Sequence, residues 1–120
     1  MSEWNQKELL GSPRYSAKST DPITGTTVNA STAVVDLDTR AFNDSVHIIA
    51  NTGSNTLNYS VEVRSDYANG DNFVLYSNAV VAGDEDELIL VHHARVFIFI
   101  QSDLTDHHTT FSITSIGSTT

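Results

Sequence analysis

The sequence predicts an all-β fold: a single β-sandwich or jelly roll of seven or eight antiparallel strands, preceded by an extended N-terminal arm. Three observations predict it. From Ser31 onward apolar residues recur with period two, the spacing that places alternate side chains on one face of a strand. Clusters of Asn, Asp, Gly and Ser interrupt that pattern at near-regular intervals, as the turns of a sandwich require. Serine and threonine supply 28 of the 120 residues, and threonine suits an exposed pleated surface. No stretch carries a sustained helical period.

The centre of the predicted fold is Leu88 to Ser102. It is rich in β-branched and aromatic residues and breaks at His92, His93 and Ala94 into two apolar runs. The expected form is a hairpin of two strands. In the second run Val96, Ile98 and Ile100 share one face, and Phe97 and Phe99 share the other. A strand apolar on both faces is central, so its second face needs a cover. Phe97 and Phe99 are therefore the candidate oligomer interface.

The remaining elements follow in order. Met1 to Asn29 is polar and aperiodic, with Gly11, Pro13, Pro22 and Gly25 spread through it, and reads as an extended arm. It holds Trp4, Leu9, Leu10 and Tyr15, anchors that suit docking onto a neighbour or partner. Residues 30–120 form the sandwich domain. Ala33 to Leu37 and Val46 to Ala50 are strands separated by an Asp- and Asn-rich turn. Asn51 to Asn55 is a turn. Leu57, Tyr59, Val61 and Val63 then alternate with Asn58, Ser60, Glu62 and Arg64 in the clearest half-buried strand of the chain. Asn69-Gly70 suits the positive-φ positions of a hairpin turn. Phe73 to Tyr76 is a short strand, Ala79 to Ala82 another, and Gly83 to Glu87 an acidic loop. Thr109 to Ile116 closes the sandwich.

Composition excludes several classes. The chain has no cysteine, which removes disulfides and thiolate metal sites. Met1 to Gly11 lacks the apolar run of a signal peptide, and no stretch approaches a membrane span, so the expectation is a soluble protein made in the cytoplasm. Residues 1–18 hold Lys7, Arg14 and Lys18 against Glu3 and Glu8. Residues 19–120 hold three arginines against thirteen acids, and the formal charge of the whole is −9. Such a body repels phosphate backbones, so nucleic acid is not an expected partner.

Candidate chemistry is sparse. Asp84 to Glu87 offers carboxylates for calcium, but four consecutive acids point apart along an extended loop, and a solvated loop is the better reading. Asp66 to Asn72 lacks the spacing of a calcium-binding loop. His92-His93 and His107-His108 are adjacent pairs. One member of each would converge only if the last long strands were neighbours, and zinc would still lack a third ligand. No nucleophile elbow, phosphate loop or zinc-protease motif occurs. The expectation is no enzyme activity, no catalytic residue, no metal and no cofactor. Sugar binding is the rival class, with Tyr67 and Tyr76 beside the Asn69-Gly70 turn as stacking platforms.

With the strands placed, the chain resembles the small all-β structural proteins of tailed-bacteriophage virions, the head decoration (cement) proteins and tail accessory modules. The resemblance rests on the arm Met1 to Thr27, on Asn51 to Arg64, and on Val80 to Asp84 leading into Leu88 to Ser102. It covers about residues 46–102 and supplies no catalytic or ligand residue. It implies a virion protein that binds the major capsid protein or another virion protein as a homo-oligomer, a trimer above all. The arm would then order on docking.

Overall fold

The structure, a computed structural model, describes residues 17–19, 21–66, 70–91 and 93–118. Nine strands run through them: β1 (Ala17–Ser19), β2 (Ile23–Thr26), β3 (Thr32–Asp38), β4 (Asp44–Asn51), β5 (Leu57–Arg64), β6 (Phe73–Val80), β7 (Glu85–Val91), β8 (Arg95–Ser102) and β9 (Thr110–Ser118). Seven of these fall in residues 30–120. All pairs are antiparallel. One sheet places β1 and β2 in succession along the edge of β9, followed by β4 and β7. The other runs β3-β8-β5-β6. From β2 to β9 the orders 2-9-4-7 and 3-8-5-6 are those of a jelly roll, which decides between the topologies the sequence left open.

Alternation explains the layers. Leu57, Tyr59, Val61 and Val63 on β5 and Val96, Ile98 and Ile100 on β8 turn inward and are almost fully buried. Ile49, Leu90, Phe111 and Ile113 meet them from the other sheet. β8 takes β3 on one side and β5 on the other, so it is central as its composition demands.

Three expectations change. Leu88 to Ser102 is not a hairpin. β7 pairs with β4 in one sheet and β8 with β3 and β5 in the other, so the chain changes sheets between Val91 and Arg95. A hairpin and a sheet-crossing arch bury alternate residues equally, and only the pairing partners tell them apart. The two short strands at Phe73 to Tyr76 and Ala79 to Ala82 are one strand, β6, which runs unbroken through Ser77 and Asn78. At an exposed edge, polar residues keep their access to water and need not end a strand. Finally, the acidic loop is mostly strand: Glu85, Asp86 and Glu87 open β7.

Ala17–Ser19 and Ile23–Thr26, expected in the arm, pair along β9 of the same chain. Ile23 pairs with Ile113 and Thr26 with Thr110. Trp4, Leu9, Leu10 and Tyr15 lie outside the described residues.

One buried polar node joins the two sheets, and a second ties β4 to β9 within one of them. Asn51, 2% exposed, has all four of its side-chain bonds filled. Its Nδ2 donates to the carbonyls of Asn55 (2.7 Å) and Val80 (2.8 Å). Its Oδ1 accepts from Gly53 N (3.1 Å) and Thr109 Oγ1 (2.8 Å). Gly53 is needed here, because a Cβ at this position would stand 2.6 Å from Thr110 N. The second node is His47. Its ring is fully buried, with Nε2 2.9 Å from Ser45 Oγ and Nδ1 2.8 Å from Ser115 Oγ.

Removing the Asn51 amide leaves the Val80 carbonyl and the Thr109 hydroxyl buried without their partner. Asn51→Ala is expected to lower stability by about 2–4 kcal/mol, read from urea unfolding. Burial holds the His47 imidazole at about 4, below its ordinary 6.5, because desolvation opposes the charged form. The unfolded chain therefore binds the proton more readily. This contribution is complete above pH 6.5 and is lost as pH falls towards 4, a total on the order of 3 kcal/mol. Urea midpoints of the wild type and His47→Gln, measured across that range, check it: the variant's pH dependence is expected to be flatter.

Candidate functional site

The outer face of the β3-β8-β5-β6 sheet carries the densest cluster of aromatic, charged and amide side chains in the described residues. Register builds it. Across β8, Phe97 stands opposite Asp36 of β3 and Glu62 of β5, and Arg95 stands opposite Asp38 and Arg64. The Phe97 ring is only 8% exposed, although it lies on the outside of the sheet. The Arg95 guanidinium carbon is 4.8 Å from its centroid and that of Arg64 is 5.1 Å away. Both are in cation–π range. Arg95 is held in place by a two-point bond to Asp36, Nε to Oδ1 and Nη2 to Oδ2, each 2.7 Å. That bond keeps the Asp36 carboxyl below its usual range. Arg64 is fixed by Nε donating to Asn72 Oδ1, and Asn72 Nδ2 donates to Glu62 at 3.0 Å.

Much of the cover expected over Phe97 is therefore supplied by this chain's own arginines. Phe99, with its ring 6.4 Å from that of Phe97, is half-buried. It sits at the margin of a shallow depression of about 350 Å³ lined also by Ser31, Asn58, Tyr59, Ser60, Ser77, Asn78 and Gln101. Beneath it the Tyr59 hydroxyl donates to Asp86 Oδ2 at 2.7 Å. Desolvation, aided by that carboxylate, pushes the phenol's pKa well up. The depression offers amide and hydroxyl groups around one ring, a set that binds by hydrogen bonds and stacking. Among the described residues no nucleophile is paired with a base in it.

The other candidate residues do not assemble. Asp84 Oδ1 accepts from Glu85 N, and Asp86 is turned inward to Tyr59. His93 and the pair His107 and His108 lie beyond opposite ends of β8, which puts them about 25 Å apart, so they do not converge. His108 Nδ1 is instead 2.8 Å from Ser102 Oγ. Among the described residues no three His, Asp or Glu side chains form a metal-binding group. Tyr67, Asn69 and His92 lie outside the described residues. Tyr76 is 45% exposed, its ring centroid 6.1 Å from that of Tyr59.

The inward position of His47 was legible in principle, since it shares the phase of Ile49. The exposure of Phe73, Val74, Leu75 and Tyr76 had no signal in the sequence, because an apolar run reads the same whether covered or bare.

No protein-family model matches the chain, and no curated protein matches it significantly. Solved structures do. The chain is similar to a Bacillus endospore appendage protein of a disulfide-linked pilus family, with 9% identity and a TM-score of 0.56 over 97% of this chain and 100% of that one. It is also similar to YomS, a protein derived from the SPBc2 prophage, with 8% identity and a TM-score of 0.62 over 92% of this chain and 100% of the other. At such identities the shared property is the fold.

The arginine cover gives a direct expectation. Arg95→Ala should bare one side of the Phe97 ring and lower stability by about 1 kcal/mol at modest salt. It should also raise binding of an apolar dye such as ANS. Unchanged dye binding would mean that Arg64 alone covers the ring.

Proposed function

We propose that this chain is a non-enzymatic structural protein of a virion, one that decorates and stabilises a capsid. In this reading it binds the shell as a homo-oligomer. Its partner is the major capsid protein or another virion protein, and the N-terminal arm with Trp4, Leu9, Leu10 and Tyr15 makes the contact. The observation that carries the reading is the jelly-roll body, whose buried polar groups bond one another and leave no reactive constellation in the described residues. The fold shared with a prophage-derived protein and with an appendage protein of pili supports it as an architecture used for assembly. The pilus family is disulfide-linked, whereas this chain has no cysteine, so any assembly it forms is made without disulfides. Phe99, half-buried beside Phe97, belongs to the face offered to a neighbouring subunit.

Co-sedimentation with purified tailed-phage heads stripped of their own decoration protein tests the proposal. The full chain is expected to sediment with a shell at saturable stoichiometry. Trp4→Ala combined with Leu9→Ala should weaken attachment at least tenfold without altering the far-ultraviolet spectrum. Failure to sediment with any shell would overturn the reading, and equal attachment of the variant would remove the arm's role.

A second reading, a carbohydrate-binding or receptor-recognition module of a virion tail, is favoured by one observation. The depression beside Phe99 places Asn58 and Gln101, paired across β5 and β8, next to an aromatic ring. Glycan retention abolished by Asn58→Ala, and indifferent to the arm, would support this reading over the first.

A further inference from the structure

Among the described residues β6 is an unpaired edge of its sheet, and four consecutive apolar side chains on it face solvent. Phe73 and Val74 are each 65% exposed, Leu75 46% and Tyr76 45%. A strand normally hides alternate residues. Here the register slips between Val61 and Glu62: Val61 pairs with Tyr76 and Glu62 with Val74, so Leu75 is an extra residue. Such a bulge disturbs the alternation and leaves both faces of this stretch open.

The edge made by β1 and β2 is broken into two short strands of 3 and 4 residues, and the remaining two edges are guarded by charge. β3 carries Asp36 and Asp38, and β7 carries Glu85, Asp86 and Glu87. Charges on an edge strand discourage pairing with another chain. β6 reads Phe-Val-Leu-Tyr-Ser-Asn-Ala-Val and has no charge at all. In a chain of net charge −9, two copies repel almost everywhere they might meet. A neutral apolar edge is the place where they do not.

We infer that β6 is a self-association surface, on which two copies meet antiparallel about a two-fold axis passing near Leu75. The occupant is a second copy because a strand without charge is self-complementary in a way the acid-bearing edges are not, and a two-fold contact uses the same patch twice. A cyclic trimer needs two different complementary patches. Of the other exposed apolar residues, Ile89 and Val91 share the outer face of β7 with Glu85 and Glu87, and Val28, Val81 and Leu104 lie singly outside the strands. The four side chains expose roughly 400 Å² per copy. Together with the strand backbone and flanking residues, two copies would bury about the ~1,200 Å² at which stable interfaces begin. This inference deepens the proposed assembly role and rests on it only for the expectation that the chain self-associates. The two fail separately, because oligomeric mass is measured without any shell.

Light scattering behind size exclusion on the full chain should give about twice the 13.1 kDa monomer mass. The double variant Val74→Lys and Leu75→Lys should return to monomer with its circular dichroism and melting temperature kept, since both side chains are exposed. Its dimer affinity should fall about 100-fold, as a lysine in an apolar contact lacks a partner. The substitutions make the net charge less negative, so general repulsion cannot explain a loss of dimer. Because the chain has no cysteine, Leu75→Cys supplies a clean second test. Mild oxidation should link it into a covalent dimer, since facing antiparallel positions lie within disulfide reach. Leu104→Cys, on a loop and 59% exposed, should give no covalent dimer. A monomeric wild type, a trimer mass, a dimer that survives both lysines, or no covalent dimer from Leu75→Cys would each overturn the inference.

Discussion

The Asn51 side chain is the join on which this sandwich depends. It ends β4 in one sheet, yet one of its amide protons goes to the carbonyl of Val80, the last residue of β6 in the other. Its oxygen receives the Thr109 hydroxyl just before β9 starts, and its second amide proton closes the turn at Asn55. One residue therefore sets where two sheets meet at this end. An apolar core resists separation of the layers but is indifferent to a small slide between them, whereas hydrogen bonds with definite directions are not. The Thr27–Ser102 contact at 2.7 Å, with Thr109 N donating to Thr27 Oγ1 at 2.9 Å, extends the same function along the corner.

The two faces of β8 show how differently apolar surface can be managed. Its inner face meets the opposite sheet by ordinary packing. Its outer face is covered by two arginines, whose stems supply apolar contact and whose planar heads lie over the ring. Arginine suits this position because its planar head can lie over the ring while bonding a neighbouring strand, as Arg95 does to Asp36 of β3. The protein thereby buries Phe97 without a third layer.

Much of the fold was legible because alternation is a local property. The bounds of β5, Leu57–Arg64, follow directly from four apolar and four polar residues in turn. The central place of β8 follows from Phe97 and Phe99 lying opposite Val96, Ile98 and Ile100. Partner choice was not legible. Whether β7 turns back on β8 or crosses to β4 depends on contacts more than thirty residues away, and nothing between Val91 and Arg95 states it. The candidate site was only partly legible for the same reason. Phe97 and Phe99 were identified from their phase, but the arginine cover is a cross-strand property of Arg64 and Arg95, and the Asn58–Gln101 neighbourhood needs the β5–β8 register to exist.

The last strand of the chain has three neighbours. β9 pairs with β1 and β2 from the start of the described chain and with β4 from its middle. Among the described residues β1 and β2 therefore have no partner until Thr110–Ser118 has been made. During synthesis β1 and β2 must wait unpaired, and β4 is open along one side. A nascent chain of this topology cannot complete its first sheet progressively. Closure of that sheet waits for Thr110–Ser118, and chains cut short before Thr110 should be handled as unfolded rather than as partly built.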